Sequence, residues 1–199
     1  MATIVRLNQS ITNADAPRLR EILTSDDFSG TGELVGSMTS AALGGEPMQW
    51  SGVPGWTRED GAIRTPQGSI NELLELEDMP ENLIVTYRVV RMPSNGFLAL
   101  SLRSTSNGRD RVVLGITNLG FIWFENRKDG QTTRSPAVSG VRQGDIIGIK
   151  AVGENLEATI NGEIVNTWTT DILGRGDLRL STYPIIDAAI DDLVVEVAR

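Results

Sequence analysis

The residues whose types could do chemistry in this chain are acidic and aromatic. The stretch Glu72 to Asp78, ELLELED, alternates carboxylates with leucines, so a strand would carry its acids on one face. Acid–base cleavage of a glycosidic bond with retention needs two carboxylates about 5 Å apart. No such pair can be read here, and the same stretch reads equally as a half-exposed strand with Leu74 and Leu76 turned inward. Two further acidic pairs, Asp26 with Asp27 and Asp191 with Asp192, stand near the two ends of the chain. Hard carboxylate oxygens suit calcium, whereas solvated or capping aspartates are the alternative. Trp50, Trp56, Trp123, Trp168 and Tyr183 present rings able to stack on a ligand. Trp56, in the turn-rich SGVPGWTRED, and Trp123, near Arg127, are the candidate ligand-binding residues, with Arg127 itself. In Phe121-Ile122-Trp123-Phe124 both strand faces are apolar, one for the core and one for a second layer or a partner. Arg175-Gly176-Asp177 spells an integrin-type tripeptide but also makes an ordinary loop before a strand.

Missing residue types close other routes. Among 199 residues there is no cysteine, which excludes disulfides and thiolate chemistry, and no histidine, which excludes a Ser-His-Asp triad and His-ligated zinc. The sequence therefore reads as non-enzymatic, with no cofactor required. Acidic residues outnumber basic ones 26 to 18, a formal charge of −8 that repels phosphate backbones and anionic lipid. Neither nucleic acid nor membrane is expected as a partner. Sixteen of the basic residues are arginine, a side chain suited to planar hydrogen bonding across packed surfaces. No apolar run approaches the roughly 20 residues that span a bilayer, and MATIVRLNQSITNAD lacks the features of a signal peptide, so synthesis in a cytoplasm is expected.

The elements that must position these residues are short strands. Leu83 to Arg91 and Phe97 to Arg103 flank the turn Pro93-Ser94-Asn95-Gly96, and in the second run Leu98, Leu100 and Leu102 alternate with Phe97, Ala99 and Ser101. Val112 to Thr117 and Phe121 to Phe124 follow, separated by Asn118-Leu119-Gly120. In NLEATINGEIVNTW the pair Asn161-Gly162 predicts a type I′ hairpin between Asn155 and Trp168. Asp177 to Thr182 and Ile190 to Ala198 close the chain, the last apolar enough to lie between neighbours. Earlier candidates are Met48 to Ser51, Ala62 to Thr65 and Ile70 to Glu77, for roughly a dozen strands. The pattern is that of one two-sheet antiparallel β-sandwich over residues 25 to 199. Residues 1 to 24 read as an N-terminal arm: Ile4, Leu7, Ile11 and Leu19 are apolar anchors, and Asp15-Ala16-Pro17 resembles the start of a short helix through RLREIL.

Asp26-Asp27-Phe28-Ser29-Gly30-Thr31, followed by NLEATINGEIVNTW and AAIDDLVVEV, resembles the concanavalin A-like lectin and glucanase superfamily, laminin-G-like jelly rolls included. The resemblance implies that the first and last strands lie side by side, which would bring Asp26, Asp27, Asp191 and Asp192 together as a structural calcium site. It also implies the motif E-x-D-x-x-E in members that cut β-glucans. Glu75-Leu76-Glu77 fails that pattern, having no acid three residues beyond Glu77. An arm followed by such a sandwich is similar as well to bacteriophage virion proteins. From these likenesses the expected function is a non-catalytic structural or accessory protein of a phage particle. It would be made in the host cytoplasm, homo-oligomeric, and docked through its arm on capsid or tail subunits. The alternative is a lectin-like module that binds host glycans.

Overall fold

Strict alternation of apolar and polar side chains divides the chain into strands with one buried face, and such strands pair into sheets that cover each other. The computed structural model describes residues 21–64, 73–183 and 187–199. Its first sheet contains β1 (Ile22–Asp26), β2 (Gly32–Glu33), β4 (Thr57–Glu59), β5 (Ala62–Arg64), β7 (Leu83–Arg91), β13 (Ile146–Val152), β14 (Asn155–Ile160), β15 (Glu163–Thr169) and β17 (Ala189–Val197). The second contains β3 (Ser51–Gly52), β6 (Leu73–Met79), β8 (Phe97–Ser104), β9 (Arg111–Thr117), β10 (Phe121–Lys128), β11 (Gln131–Arg134), β12 (Val138–Ser139) and β16 (Gly176–Tyr183). Strand order is β15-β14-β13-β7-β17-β5-β4-β2 in the first sheet, with β1 also on β17. In the second it is β11-β10-β9-β8-β16-β6-β3, with β12 also on β10. Every pairing is antiparallel among the described residues, so the expected two-sheet sandwich stands.

The core lies between the sheets. Leu98, Leu100 and Leu102 of β8, Val112, Leu114 and Ile116 of β9, and Ile122 and Phe124 of β10 are buried with Val85, Tyr87 and Val89 of β7 and Ile147 and Ile149 of β13. Leu74 and Leu76 turn inward as their spacing predicts. The hairpin β14–β15 turns at Asn161 and Gly162, whose φ angles of 53° and 85° are those of a type I′ turn. Asn161 further accepts the Ile146 N–H at 2.9 Å and donates to Asp145 at 2.8 Å, which ties the hairpin tip to the start of β13.

β1 pairs with β17 from Ile22 opposite Glu196 to Asp26 opposite Leu193, so the first and last described strands are neighbours. Ile22 to Thr24, assigned above to the arm and its helix, are therefore sandwich strand, because they hydrogen-bond to the last strand. The rest of the arm, including Ile4, Leu7, Ile11 and Leu19, lies outside the described residues. The described residues form seventeen strands rather than a dozen, since several are only two or three residues long. The apolar run Ile146–Val152, not among the strands expected above, joins the β14–β15 hairpin to β7.

Candidate ligand-binding face

Alternation that buries one set of side chains presents the other set on the outer face of the second sheet. Antiparallel register lines those outer residues up across the strands. One row runs Arg134, Glu125, Val113, Ser101, Arg179, Glu75 and Ser51, from β11 across to β3. The next row places Trp123 opposite Gly115, Gly115 opposite Ala99, and Ala99 opposite Ser181. Small residues therefore occupy the middle of the face and large ones its flanks. The result is two adjoining depressions of about 400 and 350 Å³ that share Ser101, Arg111, Arg127 and Ser181.

The flanks differ in chemistry. At one end Phe97 stands over Trp123 edge to face at 5.3 Å and beside Tyr183 at 5.7 Å, with Tyr183 exposed. At the other end are Arg111, Arg127 and Arg179, with Arg134 reaching from the edge strand over Trp123. Arg127 and Arg134 both hold the buried carboxylate of Glu125. Burial pushes the Glu125 pKa up, but the hydrogen bonds and charges of Arg127 and then Arg134 outweigh it and leave the group below its usual value. Arg179 meets Glu75 through Nε and Asp177 through Nη2, each at 2.8 Å; the Nε contact is an ion pair without aligned hydrogen-bond geometry. Arg111 donates to the Gly108 carbonyl and forms no ion pair among the described residues.

Of the residues singled out from sequence, Arg127 lies on this face as a lining group. Trp123 is on the same face but is not an open platform. It is only 8% exposed, lying over Gly115 with Phe97 at its edge and the Arg134 guanidinium 5.9 Å from its ring centre. The second apolar face of its strand is thus covered by the sheet's own side chains at Trp123, while Phe121 stays exposed. Trp56 is a core residue, 1% exposed, although the turn before it, Gly52 to Pro54, is exposed. The tripeptide Arg175 to Asp177 is occupied internally, Arg175 by Asp78 and Asp177 by Arg179.

The four aspartates do not converge. Asp26 is fully buried, with one oxygen accepting the Phe28 N–H at 2.9 Å and the other Trp50 Nε1 at 2.8 Å and Arg58 at 3.1 Å. Asp192 pairs with Arg88 at 2.6 Å. Asp191 and Asp27 remain, and no group of three or more metal-ligating side chains exists among the described residues. Asp26 instead serves as the buried acceptor that fixes Trp50.

Arg111, Arg134, Arg179, Phe97 and Ser181 carry the face and were not singled out. The alternation of Phe97, Ala99 and Ser101 against three leucines marks their strand's outward side. The cross-strand register that assembles them is not written in any one segment.

No protein-family model matches the chain, and no curated protein matches it in sequence. Solved structures do match in shape. The carbohydrate-binding module CBM66 from Bacillus subtilis aligns over 84% of this chain and 95% of its own, at 11% identity and a TM-score of 0.53. β-Agarase B from Zobellia galactanivorans aligns over 89% and 93%, at 9% identity and 0.66. The Bacillus licheniformis β-glucanase aligns over 92% and 100%, at 11% identity and 0.62. At such identities the likeness is one of fold, that of an antiparallel jelly-roll β-sandwich.

Proposed function

We propose that this chain is a non-catalytic saccharide-binding module that uses the outer face of its second sheet. The observation that carries the reading is the pair of adjacent cross-strand rows of small residues, Val113 and Ser101 in one and Gly115, Ala99 and Ser181 in the other, sunk between an aromatic flank and an arginine flank. A shallow trough with ring surfaces at one end and fixed donors at the other suits a ligand with apolar ring faces and many hydroxyls. Among the structural neighbours one is a carbohydrate-binding module and another, a β-agarase A, was solved with oligoagarose.

Catalysis is not part of the proposal. Glu125 and Glu75 stand on strands four steps apart, on the order of 19 Å at normal strand spacing, whereas two-carboxylate cleavage needs roughly 5 to 9.5 Å. Glu75 and Asp177 are closer, but both are engaged by the one guanidinium of Arg179 that stands between them. The particle-protein reading rests on Ile4, Leu7, Ile11 and Leu19 and gains no support from the described residues.

Affinity electrophoresis against soluble polysaccharides tests the reading. Retardation is expected for the native chain and should be lost in Ser181→Trp, which fills the trough from a half-exposed position. Equal retardation of both proteins would place any binding elsewhere, and release of reducing sugar would overturn the non-catalytic part.

A further inference from the structure

Taking the outer face as a saccharide site, we propose that its ligand is an acidic saccharide, whose carboxylate or sulfate group is gripped by Arg111 and Arg179 while the adjoining sugar rings run toward Phe97 and Tyr183.

Three observations converge on this. No acidic residue lines either depression, although the chain as a whole carries a charge of −8. The carboxylates behind the arginine flank line neither depression and are already held: Glu125, 1% exposed, by Arg127 and Arg134, and Glu75 and Asp177 by Arg179. The charge presented to a ligand is therefore positive.

The second observation is convergence of like charges. Arg111 lies directly opposite Arg127 in the β9–β10 register. A Cβ built on Gly108 would sit 2.7 Å from Nη1 of Arg179 and 3.3 Å from Nη1 of Arg111, so two guanidiniums approach one point beside that glycine. Cations facing each other across strands destabilise a sheet. Burial disfavours the Arg111 charge, and the charges of Arg127 and Arg179 add to the effect. The Glu125 charge offsets this only in part, and no carboxylate lies within ion-pair distance of Arg111 among the described residues. An arrangement unfavourable to the empty fold is the one that an incoming anion relieves.

The third is shape. A guanidinium meets a carboxylate or sulfate through two parallel N–H donors, and two guanidiniums at one point can engage such a group from both sides. The trough continues from that point past Ser101 and Ser181 to the aromatic end, which gives the uncharged remainder of a saccharide a surface to lie on. A free inorganic anion would use only the arginine end.

Calorimetric titration with matched pairs of probes separates these elements: polygalacturonate against its fully methyl-esterified form, and dextran sulfate against dextran, with inorganic sulfate and pyrophosphate as controls. At least one acidic polymer is expected to bind at least tenfold more tightly than its neutral counterpart, and more weakly as salt rises. Arg111→Gln should erase that preference. Arg111→Lys, which keeps the charge and loses the fork, should retain part of it, and unchanged melting temperatures would show both variants folded. Tyr183→Ala should weaken acidic and neutral polymers by the same factor. If neutral polymers bind as tightly as acidic ones at a site blocked by Ser181→Trp, the acidic ligand is wrong and the saccharide reading stands. If no polymer binds in a manner sensitive to Ser181→Trp, both fall. Inorganic sulfate or pyrophosphate binding as tightly as the polymers would overturn the sugar half of the proposal.

Discussion

Gly115 lies directly against the ring of Trp123: a Cβ placed on it would come within 2.4 Å of Cζ2 and 2.6 Å of Cη2. The two residues are cross-strand partners on β9 and β10, so the indole lies over its partner's bare backbone. That stacking keeps the wall of the trough low and holds Trp123 where Phe97 and Arg134 can cover it.

Replacing Gly115 with alanine should therefore displace the indole rather than merely add a methyl group. Overpacking of this kind costs about 1–3 kcal/mol, and urea denaturation followed by tryptophan fluorescence reads both the loss of stability and the changed ring environment. An unshifted midpoint with unchanged emission would mean that the indole has room to spare. Trp123→Phe in the same background should recover part of the loss.

Glu125→Gln tests the buried carboxylate. Its negative charge is what keeps Arg127 and Arg134 from repelling each other and Arg111, so the amide should lower stability at pH 7. Breaking a fully buried pair costs about 3–5 kcal/mol; with Arg127 and Arg134 partly in water, about 2 kcal/mol is expected. The pH dependence has a definite sign. The folded pKa lies below the unfolded value of 4.5, so the stabilisation is complete above pH 4.5 and is lost as pH falls through the lower folded value. Melting curves of native and variant proteins should differ at pH 7 and converge on acidification. A gap that stays constant down to strongly acidic pH would contradict the ion-pair account.

How much of this was legible in sequence depends on the range over which the signal acts. The β14–β15 hairpin and the β7 and β8 strands were readable because turn chemistry at Asn161-Gly162 and alternation at Leu98, Leu100 and Leu102 are local, whereas the pairing of β1 with β17 was implied only by the superfamily resemblance. Trp56 sits beside an exposed turn, Gly52 to Pro54, which suggests exposure, and only the fold shows that its own side chain enters the core. The arginine flank escaped for a different reason. Arg111, Arg127, Arg134 and Arg179 come from four strands, and their meeting depends on register across β8, β9, β10, β11 and β16.

Asp191 offers a prediction of opposite sign. Burial raises its pKa above 3.8, a rise to which the Asp192 and Asp27 charges contribute, while the Asp192 N–H and Arg88 act against it. A raised carboxylate pKa destabilises the fold once pH exceeds the folded value, and the penalty disappears below the unfolded value. Asp191→Asn keeps an oxygen to accept the Asp192 N–H, now 2.7 Å away, and removes the charge. It should raise the melting temperature by a few degrees at pH 7 and by nothing near pH 3. EDTA should leave the native midpoint unmoved. Were calcium held between Asp27 and Asp191, the same substitution would lower the midpoint and EDTA would mimic it.

Arg103 marks where the two sheets are locked at one end. It leaves β8 with a φ of 52° and sends Nε to the Glu81 carbonyl at 3.0 Å and Nη1 to the Gly153 and Ile172 carbonyls at 2.8 Å each. Those carbonyls belong to three separate connections, β6 to β7, β13 to β14 and β15 to β16, so one buried guanidinium fastens loops from both sheets. Backbone oxygens left without donors in a buried place are costly, and three of them make Arg103→Met worth about 3 kcal/mol or more. Arg103→Lys should rescue little, since a single ammonium cannot reach donors' positions spread along a planar fork. Hydrogen exchange provides the local readout: in Arg103→Lys the amides around Gly153 and Ile172 should lose protection first, while those at the Asn161-Gly162 tip, at the opposite end of the hairpin, keep theirs. Uniform loss across the sandwich would show that Arg103 contributes only to global stability and not to this junction.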